Sequence, residues 1–178
     1  MGQYYKPVIL ADNKTTVVKW MYSHDYGDGL KLMEHSYITN DFVSTFENQL
    51  VDKPQRVAWA GDYADECKRR KTNLYQRCDD NTKIVPSSIR LTEKDFPFVI
   101  NHSRKEFVDK RKVSEIPNWE GAKIHPLPLL TCEGNNRGGG DFRGDEKDLV
   151  GRWSRDLISI SKSKPANNYT ELIFDLVE

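Results

Sequence analysis

Hydrophobic and polar positions along this chain follow two rhythms, and each predicts a kind of element. Residues 4–10 and 15–22 are rich in β-branched and aromatic side chains, and the polar link Asp12-Asn13-Lys14 between them suits a turn. A hairpin is expected there. After Gly27 and Gly29 the period changes: Leu30, Met33 and Tyr37 recur at helical spacing, then Val43, Phe46 and Leu50 do so behind an Asn40 cap. This predicts two short helices or one kinked helix. Residues 56–60 alternate again, with Val57 and Trp59 on one face. They break at Gly61 into a stretch of helical character from Asp62 to Cys78, on which Cys67, Leu74 and Cys78 share a face. On a continuous helix Cys67 and Cys78 lie roughly 16 Å apart, which excludes a disulfide between them or shared coordination of one ion.

Residues 96–101 and 105–109 read as strands around the loop His102-Ser103-Arg104, a second hairpin. Pro117, Pro126 and Pro128 mark an irregular stretch in which two prolines confine any strand over residues 127–131 to a sheet edge. The last strands are expected at residues 150–161 and 169–177, with 162–168 as their turn. Strand pairs joined by short turns favour antiparallel pairing. The fold class is therefore α+β, a single domain with a substantial antiparallel sheet and two or three helices in the N-terminal half. No internal repeat is visible and no linker divides residues 1–178.

Composition sharpens this picture in three places. Nineteen aromatic residues supply large core units in a chain of 178 residues, which is long enough to bury a core without disulfide or metal support. The 27 basic and 27 acidic side chains cancel, so no long-range field gathers polyanions over the whole surface. Local patches remain as candidates for nucleic acid at Lys68-Arg69-Arg70-Lys71 and at Arg104-Lys105 with Lys110-Arg111-Lys112, although such runs are ordinarily solvated faces. Cys67, Cys78 and Cys132 are odd in number and match no zinc or secreted-disulfide spacing, which points to the reducing cytosol. The opening residues lack the apolar core of a signal peptide. No apolar stretch approaches bilayer-spanning length, so no membrane association is expected.

Two segments carry candidate chemistry. Residues 133–145 hold five glycines between strand-like runs. Backbone amides there, with Arg137, Gly138, Gly139, Gly140, Asp141 and Arg143, are suited to an anionic ligand or a partner. No helix start follows and no nucleotide-binding fingerprint is present, so a functional loop and a mobile one both stay open. The second segment is His24-Asp25-Tyr26-Gly27-Asp28-Gly29. A His beside carboxylates serves acid-base chemistry or binds a metal if Asp62 and Asp65 converge on it, which makes His24, Asp25 and Asp62 the catalytic candidates. The ordinary reading is that Asp25 or Asp28 turns the chain and caps a helix while the glycines relieve strain. His35, His102 and His125 are scattered and read as structural. No Gly-x-Ser-x-Gly elbow, cofactor motif or metal-ligand motif occurs, so nucleophilic hydrolase chemistry has no local signal and no cofactor is implied.

Read together, Met1-Gly2-Gln3-Tyr4-Tyr5-Lys6, the stretch from Ser23 to Glu34, Trp59-Ala60-Gly61-Asp62-Tyr63-Ala64-Asp65, His125-Pro126-Leu127-Pro128-Leu129-Leu130 and the glycine-rich loop resemble a group of small uncharacterised proteins of bacteria and their phages. The resemblance covers most of the chain in separated blocks. It implies a phage or mobile-element setting, in which accessory proteins act by binding and inhibiting a host protein or nucleoprotein such as a defence nuclease. It supplies no catalytic residue. The alternative is an enzyme acting on a nucleotide or nucleic acid through the His/Asp site.

Overall fold

The structure, a computed structural model, describes residues 3–134, 140–144 and 148–176. Both expected hairpins form. β1 (Tyr5–Leu10) pairs antiparallel with β2 (Val17–Trp20), and β4 (Phe98–Asn101) pairs antiparallel with β5 (Glu106–Asp109). The remaining elements are α1 (Asp41–Asn48), β3 (Gln55–Gly61), α2 (Pro126–Thr131), β6 (Cys132–Glu133), β7 (Leu157–Ser161) and β8 (Thr170–Glu171). Among the described residues the strands join one eight-stranded sheet in the order β2-β1-β3-β7-β4-β5-β8, with β6 laid against β3. The pairings of β3 with β6 and of β5 with β8 are parallel and the others antiparallel. The α+β class holds, with α1 in the first half of the chain and α2 in the second.

The period-2 pattern divides the side chains between two faces. Tyr5 and Ile9 of β1, Val57 and Trp59 of β3, and Ile158 and Ile160 of β7 join the main core with Phe42, Val43 and Phe46 of α1 and Leu127, Leu129 and Leu130 of α2. Val8, Leu10, Ala58 and Ala60 point the other way, where Trp20 and Leu74 complete a second cluster. Phe98, Ile100 and Phe107 form a third with Tyr169. Trp59 is fully buried, with the rings of Phe46 and Phe42 at 5.2 and 6.1 Å, so it fastens α1 to the sheet.

α1 starts where expected, because the Asn40 side chain accepts a hydrogen bond from the Val43 amide at 3.0 Å. The helix expected over residues 30–37 shrinks to a 3-10 turn at Leu32–Glu34. The stretch from Asp62 to Cys78 is not a helix: it is a series of turns ending in a 3-10 turn at Tyr75–Arg77. Asn73 explains part of this, since its side-chain amide donates to the carbonyls of Asp62 and Ala64 and competes with helical bonding. Four adjacent cations at residues 68–71 add repulsion, and Lys71 adopts a left-handed conformation with φ 49°. The stretch over residues 127–131, read as irregular with any strand held to an edge, is the helix α2. Pro126 and Pro128 fall in its first turn, where amides lack intrahelical partners in any case, so neither proline costs a hydrogen bond. The strands expected over residues 150–161 and 169–177 shorten to Leu157–Ser161 and Thr170–Glu171, and residue 177 lies outside the described residues.

Candidate functional site

The end of the sheet where β1 begins and β3 finishes brings together Asp62, Gly140 and Asp141 of the candidate residues. Tyr5 pairs with Gly61 there. The strand pairing continues one step further through Asp62, whose amide donates to the Tyr4 carbonyl at 2.9 Å and whose carboxylate accepts from the Tyr4 amide at 2.9 Å. β6 runs to the same end, with Glu133 opposite Ala60, and the glycine-rich segment leaves from it. The segment returns onto Tyr5: Gly140 has φ +63°, and a Cβ at that position would stand 2.8 Å from the Tyr5 ring. Asp141 then accepts a hydrogen bond from the Met33 amide at 3.0 Å. The foot of the loop is thus pinned by a close glycine–aromatic contact and a buried-side amide bond. Arg143, two residues on, is exposed. Arg137, Gly138 and Gly139 lie outside the described residues.

The same end of the sheet carries unusually accessible aromatic rings. Tyr4 is 42% exposed beside the fully buried Tyr5, and Tyr63, in the turn that follows β3, is 48% exposed. On the core side Tyr5 donates its hydroxyl to Gln3 Oε1 at 3.0 Å. Burial, reinforced by Cys132, Asp141 and Asp62, raises its pKa far above the usual phenol range, so it stays neutral.

The catalytic candidates are engaged separately. His24 is exposed, its ring 5.2 Å from that of Tyr22. Asp25 forms an ion pair with Lys83 at 2.7 Å and lines an open depression with Tyr26 and Asp41. Asp62 is occupied with the Tyr4 amide. Among the described residues no three His, Cys, Asp or Glu side chains are grouped as a metal site requires. The turn reading of the segment fits better: Ser23–Tyr26 is a 3-10 turn closed by Gly27 at φ 76°, and Asp28 accepts from the side chain of Asn40, the cap of α1.

The charge runs also separate. Arg104 pairs with Asp156, Arg111 with Asp109, Lys112 with Glu171, and Lys110 is buried against Glu47, so the second run is largely neutralised from within. Lys68, Arg69, Arg70 and Lys71 are exposed. Among the described residues no ion pair engages them.

Three polar constellations had no local sequence signal. The first is a buried triad in which Glu47 accepts from Lys110 Nζ at 2.6 Å and lies 3.0 Å from His125 Nε2, each side chain at most 2% exposed. His125 Nδ1 accepts the Leu127 amide at 3.1 Å and so caps α2, which places the ring proton on the nitrogen facing Glu47. Although burial opposes ionisation, Lys110 and His125 hold the Glu47 carboxyl below the usual range, and burial lowers the His125 pKa. The second is an aromatic enclosure for Lys6, whose Nζ stands 4.1 Å from the Tyr75 ring centroid, 4.6 Å from Trp20 and 5.7 Å from Tyr22. The third joins His102, Ser159 and Tyr169 in an open groove of about 330 Å³. Chain separations of 57 and 67 residues hide this group from any local motif.

Comparisons of the chain with protein-family models, with curated proteins and with solved structures found no match. Among the described residues no helix is long and apolar enough to cross a membrane.

Proposed function

We propose that this protein acts by binding, as an accessory protein of a phage or mobile element, and that its partner is a host protein engaged at the sheet end around the anchored loop foot. The observation that carries this reading is the exposure of Tyr4 and Tyr63 at the sheet end where the anchored loop foot, with the exposed Arg143 two residues on, returns to the fold. Tyrosine and arginine are the side chains most enriched where binding energy concentrates, because they offer large contact area and directed hydrogen bonds at modest entropic cost. Gly140 on Tyr5 and Asp141 on the Met33 amide hold the loop foot in place before a partner arrives, which lowers the ordering cost of association for this segment. The balanced charge of the chain and the internal pairing of the second basic run favour a protein over a polyanion.

The test is affinity capture from the host with the wild-type chain and with a Tyr4→Ala/Tyr63→Ala/Arg143→Ala variant, followed by reconstitution with the purified partner. One protein binding at fixed stoichiometry, weakened at least ~100-fold by the triple change, supports the reading; each hot-spot truncation is worth about 2 kcal/mol. Recovery of nucleic acid alone, dependent on Lys68 to Lys71, contradicts it.

A further inference from the structure

We infer that the groove between β4, β7 and the turn at residues 162–168 is a hydrolytic site for small neutral carboxylic esters, with Ser159 as nucleophile and His102 as general base. The groove lies on the third hydrophobic cluster, where Tyr169 packs against Phe98, Ile100 and Phe107. Its floor is built by register. Ile100 of β4 is opposite Ser159 of β7, and the His102 amide donates to the Leu157 carbonyl at 2.8 Å, so the imidazole is carried back over Ser159. Ser159 Oγ lies 2.8 Å from His102 Nε2, and Tyr169 Oη lies 3.0 Å from His102 Nδ1. The His102 and Tyr169 rings meet nearly at right angles, at 80°, which leaves the Nδ1–H bond in the ring plane available to the phenol.

A nucleophile within hydrogen-bond reach of a base that a third group orients is the arrangement that activates a serine. With Nδ1–H donating to Tyr169 Oη, Nε2 is left as the acceptor for the Ser159 hydroxyl proton. Burial lowers the His102 pKa, so the ring is neutral and basic near pH 7. In the first half-reaction Ser159 Oγ bonds to the ester carbonyl carbon while its proton passes to Nε2. The C–O bond to the alcohol then breaks, and the departing alkoxide takes the proton from Nε2. In the second, water attacks the acyl-serine, gives its proton to Nε2, and the carboxylic acid leaves as Ser159 recovers that proton. Hydrogen and charge balance over both steps, and water is the only co-reactant.

Lys164 also lines the groove, its Nζ 5.4 Å from the Phe107 ring centroid, and would have to leave that ring to serve the oxyanion. The backbone of Ser159 is committed to the ladder with β4, so it offers no paired amides to that oxygen. A single missing donor of this kind costs about 10²–10³ in rate, which makes this a slow hydrolase best read by covalent capture. Asp52, which also lines the groove and accepts the Ser161 hydroxyl at 2.8 Å, disfavours anionic substrates.

The experiment treats the full chain with a fluorophosphonate probe and maps adducts by mass spectrometry, with p-nitrophenyl acetate as a rate assay. The expected result is one adduct, on Ser159, absent in Ser159→Ala and slowed at least ~100-fold in His102→Gln. Tyr169→Phe removes the acceptor at Nδ1 and moves the midpoint of the pH–rate profile downward; Asp52 and Lys164 are the other titratable groups lining the groove with His102. Absence of an adduct on wild-type Ser159, or labelling of Ser161 or Ser163 in its place, overturns the inference without recourse to any variant.

Discussion

His35 should make this fold sensitive to mild acid, and the size of the effect follows from its surroundings. Its side chain is fully buried, with Nδ1 3.0 Å from the Gly29 carbonyl and Nε2 accepting the Trp59 indole N–H at 2.9 Å. Protonation would set a second donor against Trp59 in the main core. Burial accordingly lowers the pKa from 6.5 to about 4. Because the folded-state value lies below the unfolded one, the unfolded chain takes up a proton first as pH falls. The contribution of neutral His35 is complete above pH 6.5 and is lost between 6.5 and about 4. At about 1.36 kcal/mol per pH unit this amounts to about 3 kcal/mol. His35→Gln keeps an acceptor for Trp59 and a donor for Gly29 but does not titrate. Urea unfolding of both proteins, followed by tryptophan fluorescence at about pH 7.5 and about pH 4, isolates the effect, since Glu47 and His125 titrate in both and cancel. The stability advantage of the wild type over the variant should shrink by about 3 kcal/mol at the lower pH. An advantage of equal size at both pH values refutes the reasoning.

Lys110→Met leaves Glu47 buried with one partner fewer and should cost about 3–5 kcal/mol in urea unfolding near pH 7, with Glu47→Gln/Lys110→Met costing less than the sum of its parts; additive losses would break the triad account. Gly140→Ala combines a left-handed φ with a Cβ set 2.8 Å from the Tyr5 ring, and it should raise amide exchange at residues 140–144 and lower stability by about 1–2 kcal/mol. Lys6→Ala empties the enclosure of Trp20, Tyr22 and Tyr75 and should cost about 1–2 kcal/mol, read as a lowered melting temperature that tetramethylammonium partly restores. Iodoacetamide near neutral pH should label Cys67 ahead of the other thiols in the folded chain. The Arg69 amide and the Arg77 side chain lower its pKa, while burial pushes Cys78 and Cys132 up to about 12; denaturation should then expose three free thiols.

What the sequence discloses about this fold divides along a physical line. The hairpins and α1 rest on local chemistry: alternation that fits a pleated surface, polar turns, and an Asn40 side chain three residues from the amide it caps. α2 was hidden because Pro126 and Pro128 serve equally as punctuation of an edge strand and as a helical first turn. The deciding bond runs from the Leu127 amide to His125, a residue with no usual capping role. The stretch from 62 to 78 misled because Cys67, Leu74 and Cys78 fall at helical spacing by coincidence, while Asn73 imposes turns through long-range carbonyl bonds. For the site, exposure decided more than residue type. His24, Asp25 and Asp62 share a chemistry without sharing a cleft. Tyr4 and Tyr63 carry no motif, and only the way β1 and β3 end leaves their rings exposed. His102, Ser159 and Tyr169 meet only when β7 pairs with β4 and the chain returns through Tyr169, a closure that no linear spacing encodes.

The central claim is that the sheet end at the loop foot is where a partner protein docks. Hydrogen–deuterium exchange of the chain alone and in its reconstituted complex tests this most directly. The account predicts protection concentrated at residues 3–5, 61–64 and 140–144, with the groove around His102 unchanged. Protection confined to residues 68–71, or to the far edge at β8, contradicts it.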